Sequence, residues 1–258
     1  MVTKLIHTSI GEISVTIKEV ANSIPVIFLH GVYYDQNLWK YQVDRISDKT
    51  LITVDMPFHG LSKNITKKNW TLDDCALMLL EILDELKIEK VIAIGHSWGS
   101  MSILRAADKS PDRFQSIGLC NMPFQASTVK INIMFKMQHL MLGFRKFYSK
   151  QVAKTLYGEK TYANNPELLH ILESSMNRLS SREIIHTDKS VIIKAENTEH
   201  IIESLKVPAL ALKGEDDYVP QSKYIKTLIV KGGHVSAIEA PEEVLSFVEQ
   251  VFEIQNQH

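Results

Sequence analysis

The chain has 258 residues, of which 45% are hydrophobic and 23% are charged, and its formal net charge at pH 7 is −1. This length and composition suffice for one large domain with a substantial core and are atypical of a disordered chain. The near-neutral balance excludes the strongly basic composition by which many nucleic-acid-binding proteins are recognised, so no nucleic acid partner is expected.

Strand patterns begin close to the N-terminus. Residues 4–9 and 12–20 alternate apolar and polar side chains around Ile10-Gly11, which predicts a β-hairpin. The same alternation lacks the continuous apolar stretch of a signal peptide or a membrane span, so we expect a cytoplasmic protein that does not span a membrane. Continuous apolar runs are typical of parallel strands buried on both faces. Six such runs follow, at 25–30, 50–55, 90–95, 115–120, 208–214 and 226–232.

Helical patterns lie between several of these runs. Residues 71–88 open with Thr71, a candidate N-cap, and have Asp74 three residues later, with their apolar positions on one face. Residues 98–109 and 241–254 predict two further helices, the second of which opens with proline and two glutamates. The alternation of strands and helices indicates an α/β fold, with a mostly parallel central sheet flanked by helices.

The segment 125–204 breaks this alternation, because it has little strand pattern and several helical stretches. We therefore predict a core made of residues 1–124 and 205–258, and a helical insertion made of residues 125–204. Methionines and phenylalanines in this insertion either form its own core or make a flexible lining over a pocket, since methionine adapts its shape. The lysines nearby leave a third interpretation open, a helix that lies on a membrane surface.

Cofactor and metal patterns are missing from the sequence. No cluster of cysteine and histidine has ligand spacing, and no glycine-rich nucleotide fingerprint follows a strand, so neither a cofactor nor a metal is expected. The two cysteines, Cys75 and Cys120, fall in a predicted helix and a predicted buried strand. They are expected to be free, buried thiols in a reducing compartment.

Residues 95–99 read Gly-His-Ser-Trp-Gly, a G-x-S-x-G sequence between a predicted strand and a predicted helix. At a sharp strand-to-helix turn the serine is held in a strained conformation, and its neighbours must be small because chain segments pass close together. The hydroxyl of Ser97 then projects at the carboxyl end of the strand, where ligands bind in open α/β sheets. This context predicts Ser97 as a nucleophile.

Together with four other segments, this turn resembles the α/β-hydrolase superfamily, specifically its esterase-like branch with a helical cap. The matching segments occur in order along the chain as FLHG (28–31), DMPFHGLS (55–62), GHSWGS (95–100), LKGEDDYVP (212–220) and GGHVSAIEAPEEV (232–244). The resemblance covers nearly the whole chain and implies the α/β-hydrolase fold with the inserted segment as a cap. It is much less specific for the substrate.

The resemblance also implies a base and an oxyanion site. The family's catalytic histidine follows the last strand, where His234 stands directly after two glycines. The oxyanion of a tetrahedral intermediate needs two backbone N–H donors. By resemblance these are Trp98, the residue after the nucleophile, and Val32, in the loop after FLHG.

The acid that orients the base has two possible positions in this superfamily. The first position, after the strand that follows the Ser97 helix, holds Asn121 and no carboxylate. The second, after the cap, holds Glu215, Asp216 and Asp217. The family spacing counted from Gly214 selects Asp217. Asp216 is the rival, because the segment up to Pro220 is one residue shorter than the usual family pattern.

Four side chains are expected to contact the substrate: Tyr33, Tyr34, Met122 and Met137. For either tyrosine the alternative is an ordinary loop contact, and for Met137 it is the core of the insertion.

Two departures from the family pattern affect the shape of the site. Phe58 stands where the family usually has glycine, which leaves the shape of that turn open. Only sixteen positions, 218–233, separate Asp217 from His234, where the family usually has a helix. The site is therefore either more open near His234 or covered by a partner subunit, so a homodimer is one expectation.

These residues predict a serine hydrolase that cleaves a small or medium carboxylic ester through an acyl-enzyme, with a small-molecule ester as its partner. A thioester or lactone is chemically close. One alternative is an aminopeptidase of the proline iminopeptidase type, because the SWGS segment of this chain also resembles the elbow of that family. Glu159, Glu167 and Glu173 would then be available to hold a substrate amine. Another is a ligand receptor on the same fold with slow turnover.

Overall fold

One β-sheet organises the chain in the computed structural model, which describes residues 1–254. Within that range the sheet has eight strands, in the order β1-β2-β4-β3-β5-β6-β7-β8. Their bounds are β1 Val2–His7, β2 Glu12–Lys18, β3 Val26–Leu29, β4 Leu51–Val54, β5 Val91–His96, β6 Phe114–Cys120, β7 Ala209–Gly214 and β8 Thr227–Val230. The predicted hairpin is β1–β2, and β2 is also antiparallel to β4. All other neighbouring pairs are parallel, which confirms the predicted mostly parallel sheet.

Helices connect the strands and fill the segment between β6 and β7. Those associated with the sheet are α1 Lys40–Arg45, α2 Leu72–Glu85, α3 Trp98–Lys109, α10 Ser236–Glu239 and α11 Pro241–Glu253. Those between β6 and β7 are α4 Val129–His139, α5 Arg145–Leu156, α6 Glu159–Asn164, α7 Glu167–Met176, α8 Ser181–Asp188 and α9 Glu199–Glu203. The predicted helices at 71–88, 98–109 and 241–254 correspond to α2, α3 and α11. The division into a core and a cap stays a prediction.

The start of α2 shows how local sequence sets an element boundary. The Thr71 hydroxyl accepts a hydrogen bond from the Asp74 N–H at 3.3 Å, and the Asp74 carboxylate accepts one from the Thr71 N–H at 2.9 Å. This reciprocal capping satisfies two backbone donors that the first turn of a helix leaves unpaired. It is the arrangement that the sequence predicts.

The helices cover both faces of the sheet. Helix α3 packs against β3, β5 and β6, with α2 against it, whereas α11 packs against β5 to β8 beside α1. Every residue of β3 and β5 is buried, so the two helix groups lie on opposite faces. Cys75 and Cys120 are free thiols buried in these layers, as predicted.

The edge next to β8 is less covered than the rest of the sheet. As the short spacing indicates, no helix lies between β7 and β8. No residue of β8 is fully buried, and the Ile229 side chain is 53% exposed. The homodimer that would cover this edge stays a prediction.

None of the helices formed by residues 1–254 combines the length and the apolar character that crossing a bilayer requires.

Candidate active site

Ser97 lies in the turn between β5 and α3, with φ 50° and ψ −110°. A positive φ is uncommon for a residue other than glycine and marks a strained turn. A Cβ on Gly95 would collide with the Ser100 backbone amide, and a Cβ on Gly99 would collide with the Leu29 carbonyl. Both glycines are therefore required, because this turn brings the first residues of α3 against the backbones of β3 and β5.

Ser97, His234 and Asp217 are connected by two hydrogen bonds. His234 Nε2 is 2.9 Å from Ser97 Oγ, and His234 Nδ1 is 2.9 Å from Asp217 Oδ1. All three side chains are buried. Asp216, the rival, is exposed, and its backbone N–H donates to the Gly232 carbonyl. In this arrangement one imidazole nitrogen can accept the serine proton while a carboxylate holds the N–H of the other.

The Asp217 carboxylate accepts two further hydrogen bonds. The Asn121 side-chain amide donates to Oδ2 at 2.8 Å, and the Val219 N–H donates to Oδ1 at 3.1 Å. Burial by itself raises the pKa of Asp217, but the charge and hydrogen bond of His234, together with these two donors, hold that pKa below its ordinary value. The carboxylate therefore stays ionised at neutral pH, which a group that stabilises an imidazolium requires.

Asn121 is a residue whose contact the sequence did not reveal. It follows β6 at the carboxyl edge of the sheet and is fully buried, with φ 50°. Its position beside the end of β7 was a usable signal, because parallel strands bring their carboxyl ends together. The sequence showed it only as the absence of a carboxylate.

Replacing Asn121 with glycine is expected to lower kcat for an ester about tenfold, since a hydrogen bond to a buried charge contributes roughly 1.5–3 kcal/mol. Asn121→Ala should lower kcat equally but also lower the melting temperature, because alanine is strained at a positive φ and glycine is not. Steady-state kinetics and thermal melts of the two variants separate the lost donor from backbone strain. An unchanged kcat in both would show that Asn121 does not orient Asp217.

The loop that carries His234 is held from the segment between β6 and β7. The His234 N–H donates to the Leu156 carbonyl at 2.5 Å. The Glu239 carboxylate accepts from the Gly233 N–H at 3.0 Å and from the Gly158 N–H at 2.8 Å. The end of α5 therefore fixes the backbone of His234. Glu239 lies inside one of the recognised segments, but only its tertiary contacts reveal this function.

The two backbone amides predicted to bind the oxyanion are those of Val32 and Trp98. Neither N–H donates to an acceptor within residues 1–254. Val32 lines the same cavity as Ser97. Trp98 directly follows Ser97 and opens α3. Both amides are thus unpaired among the described residues, as donors to an oxyanion must be, and their assignment as the oxyanion site stays a prediction.

Tyr33 fixes the loop next to Val32 through both its backbone and its side chain. Its φ is 70°, and its N–H donates to His59 Nε2 at 3.2 Å. Burial, together with the charge of His30, lowers the pKa of His59 to about 3, so this ring is neutral and can accept. The Tyr33 hydroxyl donates to Asp188 Oδ1 at 2.8 Å.

Asp188 is another buried carboxylate, at the end of α8. Besides Tyr33 it contacts His139, whose Nε2 lies 2.8 Å from Asp188 Oδ2. Burial raises the pKa of Asp188, and the hydrogen bonds from His139 and Tyr33 only partly offset this. These contacts of Asp188 could not be predicted from the sequence, since one acidic residue on the inner side of a helix gives no periodic signal. Through Asp188 the loop of Val32 is tied to α4 and α8.

Ser97 and His234 open into a cavity of about 350 Å³. Within the described part of the chain, no Asp, Glu, Lys or Arg lines this cavity. The Tyr218 ring stacks on the His234 ring with 4.7 Å between centroids. The apolar lining comes from the turns after β6 and β7 and from α3, α4, α5 and the turn after α8, through Met101, Phe124, Ile131, Met134, Phe135, Val152, Leu156, Val191, Ile192 and Val219.

Of the four side chains predicted to contact the substrate, only Tyr33 lines this cavity. The Tyr34 hydroxyl is turned to the Tyr157 hydroxyl, 2.6 Å away. Met122 is buried in a separate small cavity beside β7. Met137 is 64% exposed on the outer side of α4. Tyr34, Met122 and Met137 thus lie outside the lining of this cavity, and contact with the substrate stays a prediction for all four side chains.

Helical periodicity explains why Met137 lies outside the cavity. Ile131, Phe135 and Gln138 are spaced four and three residues apart and face the cavity. Met137 follows Phe135 by two residues and therefore points to the other side of α4. The interpretation as a flexible apolar lining holds for Met134, which lies in the cavity wall.

Phe58 adopts the conformation expected of the glycine that it replaces. Its φ is 71°, in the left-handed region. Its ring lies 5.2 Å from the His186 ring and 6.3 Å from the Trp70 ring, measured between centroids. Aromatic packing of this kind offsets part of the backbone strain. Phe58 thus occupies a left-handed conformation that glycine adopts more readily.

Among residues 1–254, no group of three or more His, Cys, Asp or Glu side chains is placed to hold a metal ion.

Residues 24–234 match the profile of a family described by the alpha/beta hydrolase fold. The chain belongs to the α/β-hydrolase family. The resemblance noted from five short segments is thereby confirmed over most of the chain, and so is the fold predicted from it.

Relatives of this α/β-hydrolase include an esterase from Escherichia coli, 31% identical over 97 residues, which are 37% of this chain and 37% of that protein. Seven other named relatives are matched over at most 41% of their own length. Among solved structures, an esterase from Thermogutta terrifontis has a TM-score of 0.81 at 21% identity, covering 97% of both chains. An enol-lactonase from Burkholderia xenovorans has a TM-score of 0.83 at 17% identity, covering 94% of this chain and 97% of that one. At these identities the likeness shows the shared fold.

Proposed function

We propose that this α/β-hydrolase cleaves uncharged carboxylic esters of small to medium size, or the chemically close thioesters and lactones. The observation that carries the proposal is the hydrogen-bonded series from Ser97 through His234 to Asp217, at the base of an apolar cavity. The relatives named esterase and enol-lactonase support a reaction at an acyl carbon.

In the proposed reaction Ser97 Oγ attacks the acyl carbon, and its proton passes to His234 Nε2. Asp217 stabilises the imidazolium that results, and the negative charge on the former carbonyl oxygen is met by the Val32 and Trp98 amides. The intermediate collapses to an acyl-enzyme, and the leaving alkoxide takes the proton from His234. Water then attacks the acyl carbon with His234 as its base, which releases the acid and restores Ser97.

The cavity indicates the substrate class. At about 30 Å³ for each water-sized group, 350 Å³ holds roughly a dozen non-hydrogen atoms. Among the side chains of residues 1–254 that line the cavity, only His234 can become charged. A charged substrate group would therefore be buried without a partner. That burial costs several kcal/mol. The ester should therefore be apolar and uncharged.

We also propose that residues 125–204 act as the cap over this cavity. Ile131 and Phe135 of α4 and Val152 of α5 form part of its wall opposite the sheet. The α5 end and α8 contact the His234 and Tyr33 loops, so the cap both shapes the cavity and supports the reacting groups. The cytoplasmic location and the homodimer remain predictions from the sequence.

The aminopeptidase alternative receives less support from the site. Glu159 and Glu167 are exposed and Glu173 is half-buried, and none of the three lines the cavity. A substrate amine in the cavity would thus be without the acidic group that the alternative needs. The slow-turnover receptor predicts a burst of product followed by negligible steady turnover, which distinguishes it from an esterase.

The proposal is tested with a panel of p-nitrophenyl esters of graded chain length. We expect kcat/KM to peak at about four to eight acyl carbons, because the cavity volume accommodates an acyl chain of this length but not the nitrophenyl group as well. It should fall about a hundredfold or more for an acyl chain of equal length that ends in a carboxylate. A proline-amide substrate serves as the comparison for aminopeptidase activity. Equal rates on the neutral and charged esters, or faster cleavage of the proline amide, would contradict the proposal.

A further inference from the structure

Helices α4 and α5 and the turn between them carry an exposed apolar surface, here called the apolar face. Helix α4 buries none of its side chains. Leu140 is 84% exposed and Phe144 is 75% exposed, unusual for residues of this size outside an interaction surface. The apolar face consists of Val129, Ile133, Met134, Met137, Leu140, Phe144 and Phe147, all of them exposed.

A groove runs through the apolar face beside the candidate active site. Ile133, Met137 and Phe147 line it. Met134 and Gln138 line both this groove and the cavity that holds Ser97. An apolar molecule resting on the face is therefore separated by one layer of side chains from the cavity that holds Ser97.

The segment that carries the apolar face has charged side chains of one sign. Residues 129–158 contain six lysines and arginines and no aspartate or glutamate. Arg145 is half-buried, and the other five are exposed: Lys130, Lys136, Lys146, Lys150 and Lys154. Within residues 1–254 none of these five lysines forms an ion pair. Their charge is thus free to meet an anionic surface.

We infer that the apolar face binds an anionic lipid surface, with its large apolar side chains at the acyl boundary and its lysines at the headgroups. Apolar side chains flanked by unpaired lysines are the combination that surface-binding helices use. Apolar esters would then enter the cavity from the lipid, a step that rests on the proposed function. A second copy of the chain is a poorer occupant, since the same lysines would face each other and repel.

The test is co-sedimentation of the full chain with vesicles of phosphatidylcholine, alone or mixed with phosphatidylglycerol. We expect binding to the mixed vesicles, weak binding to the neutral ones, and loss of binding as salt rises, because salt screens the lysines. Leu140→Ser with Phe144→Ser should weaken binding about tenfold or more. Lys146→Gln with Lys150→Gln should weaken it about 30-fold, at about 1 kcal/mol for each lysine near the surface.

Matched controls carry the same changes elsewhere on the surface. Leu5→Ser with Leu61→Ser replaces two side chains that are 55% and 61% exposed, and Lys68→Gln with Lys90→Gln replaces two exposed lysines. Both controls should bind like the wild type. All variants should hydrolyse a water-soluble ester at the wild-type rate, and only the apolar-face variants should lose hydrolysis of an ester dispersed in mixed vesicles.

Three results overturn the inference: no binding of the wild type to mixed vesicles, equal weakening by the control variants, or a dimer in sedimentation that the apolar-face variants dissociate while vesicle binding stays the same. Selective vesicle binding without hydrolysis of any ester would instead refute the proposed function and leave the lipid-binding inference standing, since binding is measured without turnover.

Discussion

Ser97→Ala is expected to lower kcat for a soluble ester by about a thousandfold or more while the fold is retained. The hydroxyl is the group within 2.9 Å of His234 Nε2, and alanine removes it without adding volume to the turn. The variant keeps the same positive φ, because serine and alanine have similar backbone preferences there. Steady-state kinetics and a thermal melt measure the two effects. A variant that keeps more than about a tenth of the activity would disprove the assignment.

A fluorophosphonate probe gives an independent measurement of the same residue. It should label Ser97, and His234→Ala should prevent the labelling, since a serine without its base is a poor nucleophile. Ser100→Ala is the matched control, because the Ser100 hydroxyl is buried and donates to the Cys120 carbonyl at 3.1 Å. This control should be labelled normally. A peptide map with the label on another serine would refute the proposal.

Asp217→Asn should lower kcat by as much as about ten-thousandfold, because an amide removes the charge that supports the imidazolium and can hold the ring in the wrong tautomer. Asp216→Asn should change kcat less than about twofold, because the Asp216 side chain is exposed and replacing a surface side chain has little effect. Measuring both amides under the same conditions compares neighbouring residues in one loop. A dead Asp216→Asn beside an active Asp217→Asn would reverse the assignment.

Asp217→Asn should also change how the free energy of unfolding depends on pH. Because the pKa of Asp217 in the folded chain is below its ordinary value of 3.8, the ionised carboxylate stabilises the fold above that value. This contribution is lost as the pH falls from about 3.8 through the folded pKa. Asp217→Asn should therefore lose less unfolding free energy than the wild type over that acidic range in denaturant titrations. An identical pH dependence would show that Asp217 is not held by these contacts.

The sheet and the Ser97 turn could be predicted because their signals are local. Continuous apolar runs identified the six strands β3 to β8. Strands buried on both faces, such as β3 and β5, need apolar side chains along their whole length, whereas β8 is an exposed edge strand with the same pattern. Thr71 with Asp74 identified the start of α2. Gly95 and Gly99 marked the elbow because a Cβ at either position meets backbone, a constraint that depends on a few neighbouring residues.

The choice between Asp216 and Asp217 and the lining of the cavity depended on distant contacts. Spacing left two adjacent aspartates open, and only the folded loop turns one of them toward His234. Met137 and Phe135 are both apolar residues of one helix, and the packing of α4 against the rest of the chain decides which of them faces the cavity.

The sequence by itself therefore determined the chain order of the strands, the helices α2, α3 and α11, and the elbow at Ser97, because each is encoded by side chains within a few positions of one another. Its resemblance to the family implied His234 as the base. The tertiary structure alone brought Asn121 to Asp217, Asp188 to Tyr33 and Glu239 to the His234 loop. Two of these pairs join residues 96 and 155 positions apart along the chain. A polar side chain that must be hydrogen-bonded when buried can find its partner anywhere in the fold, so its own position in the sequence carries no record of that partner.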